Sequence, residues 1–377
     1  MKVFDLEKSL LFRMSLGSKE LYHSNVWAWL MENDNNFIRV FFNNKNLDNY
    51  EKVIIEREKH NRDIVIKLVG KDRREYLVIE NKIKTLPTKD QLKKYTEDID
   101  NYRLIGAVFT GLLNPFNEKL KFEYNNSFLT WDFLNYVEIA NKIQQTVESS
   151  TKEEIIYYKD QIFEYCSNIK KMQELLLLDI EKTNDKLEFE CSSKLKSLRI
   201  EDLFIKLKGA HFINYVRQNL EAKIEVDGYK LEILQGFHHG KATLDFRYVN
   251  WDSKNYNPHV IGVSIEGAQY RRYAQRSEED QLFSKMCGLG WFDNTFDKNA
   301  NRRVFGKTTK MKPTGDCKYN KYQKENQYFI AYQYYDIISE NFGGLNYDKI
   351  LKVIKQDIKK AEEIILSFSN NAPKVVH

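Results

Sequence analysis

Apolar and polar positions between residues 53 and 95 fall into short blocks. Val53-Ile54-Ile55, Ile64 to Val69 and Tyr76 to Ile79 are apolar, β-branched runs, and each predicts a strand. Gly70-Lys71-Asp72 predicts the turn between the second and third. Arg103 to Thr110, RLIGAVFT, predicts a further buried strand. Helical periodicity frames these runs. Ser18 is placed to cap a helix to about Glu32, with Glu20, Ser24, Trp27 and Met31 on one stripe. Thr88 is placed to cap a second helix through about Asn101, and Phe128 to Ile143 predicts a short strand and a helix with Trp131 near its start.

The pattern changes further on. Glu153 to about Glu181 predicts one long helix, and Ile200 to about Ala222 another. Ile224 to Ile233 predicts a hairpin turning at Asp227-Gly228. Strands at Thr243–Val249, His259–Ile265 and Tyr328–Tyr334 and a final helix from about Tyr347 to Phe368 follow. His238-His239 is expected in a loop, and adjacent histidines are poorly placed to share one metal. The expected organisation is an α/β domain over 1–150, a helical bridge over 151–222 and an α+β domain over 223–377.

The first turn also sets a register. With its centre between Lys71 and Asp72, Asp63 stands opposite Glu80. Opposed Cβ atoms in an antiparallel pair lie roughly 4.5–5.5 Å apart. Two carboxylates that close repel unless a proton or cation lies between them. Lys82, two residues past Glu80, projects from the same face. A hard divalent cation such as Mg²⁺ takes oxygen ligands of this kind and keeps waters for the rest of its shell.

Asp63 … Glu80-Asn81-Lys82 resembles the signature of the PD-(D/E)XK nucleases. Gln91-Leu92-Lys93-Lys94-Tyr95 resembles the Q-x-x-x-Y motif of their RecB-like branch, and Glu20 in Glu20-Leu21-Tyr22-His23-Ser24-Asn25 resembles the carboxylate of their first helix. Together these elements most resemble an uncharacterised bacterial set in the superfamily, over roughly residues 18–135. Arg62 stands where the motif has Pro. The resemblance implies a restriction-endonuclease-like core: a mixed central sheet flanked by helices. It implies Mg²⁺, with Mn²⁺ able to substitute, on Asp63, Glu80, Glu20 and the carbonyl of Asn81. Asp63, Glu80, Lys82 and Glu20 would be catalytic, and Gln91 and Tyr95 would orient substrate.

Blander readings stand beside these. Glu20 also suits the first turn of a helix as a partner of its dipole. His23 is either near the site or a satisfied, half-buried histidine. Glu56 either points toward the site or ends an exposed strand beside Arg57 or Arg62. Leu92, Tyr95 and Ile99 also make an ordinary core stripe. A half-buried strand carrying a solvated salt bridge gives the same alternation as Tyr76 to Ile83.

Composition narrows the picture. The 377 residues are 42% hydrophobic with only five prolines and 16 glycines, which suits packed domains rather than long linkers. A net charge of +5 argues for no partner by itself. The stretch 301–330 differs: eight Lys/Arg, among them Lys307, Lys310 and Lys312, against Asp316 and Glu325 give it net +6, with Phe305, Tyr319, Tyr322 and Tyr328 interleaved. Such a stretch suits a nucleic-acid backbone with stacked bases, or is a solvated loop. Four scattered cysteines without a CxxC pair read as reduced thiols in a cytoplasm. The first residues lack the apolar core of a signal peptide, and no apolar run is long enough to span a membrane. The expectation is a metal-dependent nuclease, with DNA favoured over RNA, in restriction, repair or phage defence, with a homodimer open. The alternative is an inactive nucleic-acid-binding or regulatory module that keeps the fold.

Overall fold

The computed structural model describes residues 11, 19–83, 85–97, 99–116, 119–238, 241–250, 259–267, 269–275, 289, 291, 310–311, 317–318, 331–336 and 346–369. The chain divides into two compact units: residues 1–182 with 190–207, and residues 183–189 with 208–377.

The first unit is built on a six-stranded sheet. Helix α1 (Lys19–Asn33) precedes strands β1 (Lys52–Lys59), β2 (Arg62–Val69) and β3 (Arg74–Asn81). Helix α2 (Lys89–Lys94), strands β4 (Arg103–Gly111), β5 (Leu120–Tyr124) and β6 (Ser127–Asn135), and helices α3 (Tyr136–Ser149) and α4 (Lys159–Lys182) follow. The sheet order is β1-β2-β3-β4-β6-β5. Neighbours β1 to β3 are antiparallel, whereas β3-β4 and β4-β6 are parallel, so the sheet is mixed. Helix α1 packs on β1 to β3, and α3 packs on β6 and α4.

β2 and β3 are buried on both faces. Tyr76, Leu77, Val78 and Ile79 are all fully enclosed, as continuous apolar runs in the middle of a sheet must be. The half-buried strand with a solvated salt bridge is therefore not what forms here. Gly106 marks a tight passage: a Cβ there would lie 2.8 Å from Leu77 Cδ2, beside the register shift between Tyr76 and Leu77. The stripe of α1 is inward, with Ser24, Trp27 and Met31 buried. Ser18, its expected cap, lies outside the described residues.

Four local expectations are corrected. The helix capped by Thr88 stops at Lys94 instead of about Asn101. The carbonyls of Tyr95 and Glu97 are taken by the Arg62 guanidinium at 3.0 and 3.3 Å, and Asp100 and Asn101 turn the chain at positive φ into β4. Trp131 sits in β6, before α3 rather than in it, and its indole donates to Thr96 Oγ1 at 2.8 Å. The long helix after Glu153 is broken at Tyr158 into Glu153–Tyr157 and α4. β5 had no counterpart in the expected order; Asn125-Asn126, both at positive φ, turn it into β6.

The second unit has a six-stranded antiparallel sheet. Helix α5 (Glu201–Asn219) starts in the first unit and leads to β7 (Glu225–Val226), β8 (Tyr229–His238), β9 (Lys241–Asn250), β10 (His259–Glu266) and β11 (Gln269–Gln275). The two-residue strands β12 (Lys310–Met311) and β13 (Cys317–Lys318) pair with each other. β14 (Ala331–Asp336) and helix α6 (Tyr347–Ser369) close the unit. The order is β14-β11-β10-β9-β8-β7, with α6 packed on β7, β9 and β10. Asp227 and Gly228, at φ 47 and 76°, form the expected hairpin turn. His238 ends β8 rather than lying in a loop, because the β8-β9 pairing runs out to Lys241; His239 lies outside the described residues. No helix of the described residues is long and apolar enough to cross a membrane.

Candidate active site

The site grows from the β2-β3 hairpin. Gly70 N–H donates to Arg73 O at 2.9 Å, closing the turn around Lys71-Asp72. Ile64 pairs with Ile79 and Val65 with Val78, so the next step along the ladder sets Asp63 against Glu80. The turn-centred register is the observed one.

Asp63 Oδ2 accepts the Asn81 N–H at 2.6 Å. Glu80 is 2% exposed, and its Oε1 accepts from Lys82 Nζ at 2.6 Å and Gln91 Nε2 at 3.1 Å. Gln91 Nε2 also donates to the Tyr95 hydroxyl at 3.2 Å. Helical spacing of four puts Gln91 and Tyr95 over the same strand end. Glu80 Oε2 is buried with no hydrogen-bond partner among the described residues.

Glu20 comes to the same strand end from α1. Its Oε1 accepts from Ile83 N at 3.3 Å, Thr85 N at 3.1 Å and Thr85 Oγ1 at 2.7 Å. It is thus more than a partner of its own helix dipole: it ties α1 to the chain leaving β3.

Electrostatics follow from burial. Burial, then the Asp63 charge, holds the Glu80 carboxyl well above the usual carboxylate range, with Lys82 opposing. Burial raises Asp63 as well, against the Asn81 amide and Lys82. Burial works against the Lys82 ammonium, but Glu80, Asp63 and Glu20 outweigh it and its pKa rises. Two enclosed carboxylates and one cation leave the pair short of positive charge.

That shortfall is the test of fit for a metal. The donors are all oxygen, they face each other, and Glu80 Oε2 is unused. A hard cation matches them. Among the described residues no three His, Cys, Asp or Glu side chains form a metal-holding group. Mg²⁺ is commonly held by one or two carboxylates with waters and phosphate oxygens completing the shell.

Residues 10–167 match the family model of the PD-(D/E)XK nuclease superfamily. The resemblance carried by Asp63, Glu80-Asn81-Lys82 and Gln91 to Tyr95 lies within that matched stretch. No curated protein and no solved structure matches the chain.

The first unit also uses residues that the motif does not name. The Asn81 side chain, fully buried, donates to Glu20 O at 2.7 Å and Ser24 Oγ at 3.0 Å, and accepts from Thr110 Oγ1 at 3.1 Å and from the Tyr136 hydroxyl. Its position as the variable residue of E-x-K hides this. Arg62 lies over the Tyr95 ring, 5.4 Å from its centroid, while it holds the end of α2. Glu56 is partly exposed and pairs with Lys67 at 2.8 Å. His23 is a buried core residue whose Nδ1 is 2.9 Å from the Tyr165 hydroxyl. Of the basic stretch, Lys307 and Lys312 lie outside the described residues; Lys310 pairs with Lys318 in the backbone of β12 and β13.

Proposed function

We propose that the chain is a metal-dependent nuclease that hydrolyses phosphodiester bonds, preferring DNA to RNA, in the cytoplasm and in restriction, repair or phage defence. The observation that carries this reading is the opposed pair of half-buried Asp63 and buried Glu80, with Lys82 on Glu80 and an unused Glu80 oxygen. A degenerate binding module has no reason to keep two mutually repelling carboxylates enclosed.

Asp63 and Glu80 would hold Mg²⁺, with the Asn81 carbonyl available beside them and Mn²⁺ able to replace it. The metal, when bound, supplies a Lewis acid for the phosphoryl oxygen and a more acidic water. Glu20 adds negative charge and fixes the chain after β3. Lys82 keeps its proton and so serves as a fixed cation that orients water or phosphate. Gln91 holds Glu80 in place through its amide, and Tyr95 presents a hydroxyl beside the substrate. The 301–330 stretch, with Lys307, Lys310 and Lys312, would track the nucleic-acid backbone. The free thiols of Cys166 and Cys191 suit a reducing compartment.

The test is incubation with supercoiled DNA, linear duplex, single-stranded DNA and RNA, each with Mg²⁺ or EDTA. Cleavage of DNA with Mg²⁺ and none with EDTA is expected. Cleavage of RNA alone would overturn the DNA preference, and cleavage of none would overturn the enzyme reading.

A further inference from the structure

A second polar cavity, of about 520 Å³, opens at the other end of the same sheet. Its floor is Glu75, near the start of β3, whereas Glu80 is near that strand's end. Five residues at roughly 3.3 Å each separate the two along the strand, about 16 Å. A volume of this size lies inside the range of roughly 300–1,000 Å³ typical of small-ligand pockets.

Glu75 organises the cavity. It is 6% exposed and pairs with Arg103 by backbone register. Arg103 Nη2 donates to its Oε1 at 2.7 Å, the Tyr50 hydroxyl donates to its Oε2, and Arg73 Nε stands 3.9 Å away. Arg73 also lies 4.4 Å above the Tyr50 ring. The two guanidinium groups are thereby held in place while their side chains remain 63% and 46% exposed. Lys45 forms another wall, anchored by its ammonium to Ile105 O at 2.6 Å. Three cations against one carboxylate leave the lining net positive.

A single carboxylate that pre-orients two arginines prepares a site for an oxyanion that can take two N–H donors at once, which a pair of oxygens of a tetrahedral phosphate does. The mouth carries a different chemistry. Phe128, 72% exposed, stands there with the amides of Asn49 and Asn125 on the same lining. An exposed aromatic face stacks a nucleobase, and amides both donate to and accept from its edge. Phosphate recognition inside and base recognition at the rim define a nucleotide. The cavity faces the end of the sheet opposite Glu80 and Lys82, so it is not a continuation of the cleavage site along one strand of substrate.

We propose that this cavity binds a free nucleotide, through phosphate at Arg73, Arg103 and Lys45 and base at Phe128. Isothermal titration calorimetry on the full-length Glu80→Gln chain tests this without any cleavage, so its outcome is independent of the nuclease reading. The titrants are AMP, ATP, GTP, inorganic phosphate and a short single-stranded oligonucleotide. Saturable binding of at least one nucleotide, tighter than inorganic phosphate, is expected. Arg103→Ala and Phe128→Ala, both at exposed side chains, should each weaken it tenfold or more, while Asp63→Asn should leave it unchanged. No nucleotide binding, binding unaffected by both cavity variants, binding lost in Asp63→Asn, or binding of the oligonucleotide alone would each overturn the proposal.

Discussion

Glu80 is held by two neighbours that do different things. Lys82 balances its charge, and Gln91 fixes its orientation from α2. Partners that orient a metal ligand from outside the coordination shell are typically worth about 10–100-fold in metal affinity or activity. Gln91→Ala should therefore raise the Mg²⁺ concentration needed for half-maximal cleavage by about 10–100-fold, with the fold intact; titration of activity against Mg²⁺ reads it directly. At this scale the motif residues were legible because their chemistry is unusual for a strand. Asn81 was not. Its side chain makes four hydrogen bonds that join α1, β3, β4 and α3, but nothing in its neighbours in sequence points to partners at Ser24, Thr110 and Tyr136. Arg62 was visible only as a departure from the motif, and its work on Tyr95 and Glu97 depends on where α2 ends.

At the scale of the hairpin, β2 and β3 enclose two carboxylates whose pKa values burial has raised. An acid with a higher pKa folded than unfolded binds more protons in the native state. Stability is then greatest below the ordinary carboxylate values, about 4, and is lost as pH rises through the raised values. Lys82 contributes no slope there, because its own shift lies above the lysine range. The metal-free protein should melt at a lower temperature at pH 8 than at pH 5.5, and Mg²⁺ should restore more at pH 8. Scanning fluorimetry of wild type against an Asp63→Asn, Glu80→Gln double variant isolates this pair, since every other group is common to both. An equal Mg²⁺ shift in the two chains would remove the metal from this site. The register of this hairpin could be read from its turn and its period of two. The end of α2, the break at Tyr158 and β5 could not. Arg62 takes the carbonyls of Tyr95 and Glu97 at the end of α2, and the Asn125-Asn126 turn sets β5.

At the scale of the whole molecule, charge is uneven. The stretch 301–330 carries net +6 while the chain carries +5. Each phosphate neutralised contributes roughly −0.9 to the slope of log affinity against log salt for duplex DNA. Changing Lys307, Lys310 and Lys312 to Glu should weaken binding across sequences and flatten that slope, with Mg²⁺ stabilisation unchanged. Fluorescence anisotropy across a salt series measures it, and an unchanged slope would make the stretch a solvated loop. Much of the antiparallel second sheet was legible because its hairpins are local, with turn signals such as Asp227-Gly228, but β11 had no counterpart in the expected strands, and its partner β14 comes from far along the chain.

Asp63, Glu80 and Lys82 are proposed to form one metal-dependent hydrolytic site. Lys82 is the decisive residue to change, since its side chain lies on the strand end and contributes charge rather than core packing. The measurement is single-turnover cleavage of a labelled DNA by wild type and Lys82→Ala, with saturating Mg²⁺ and matched melting temperatures. Removing one preorganised charge from such a site should slow cleavage by at least about 100-fold, with EDTA abolishing what remains. Equal rates in the two proteins, or cleavage that persists in EDTA, would mean that Lys82 and a bound metal are not the catalytic machinery.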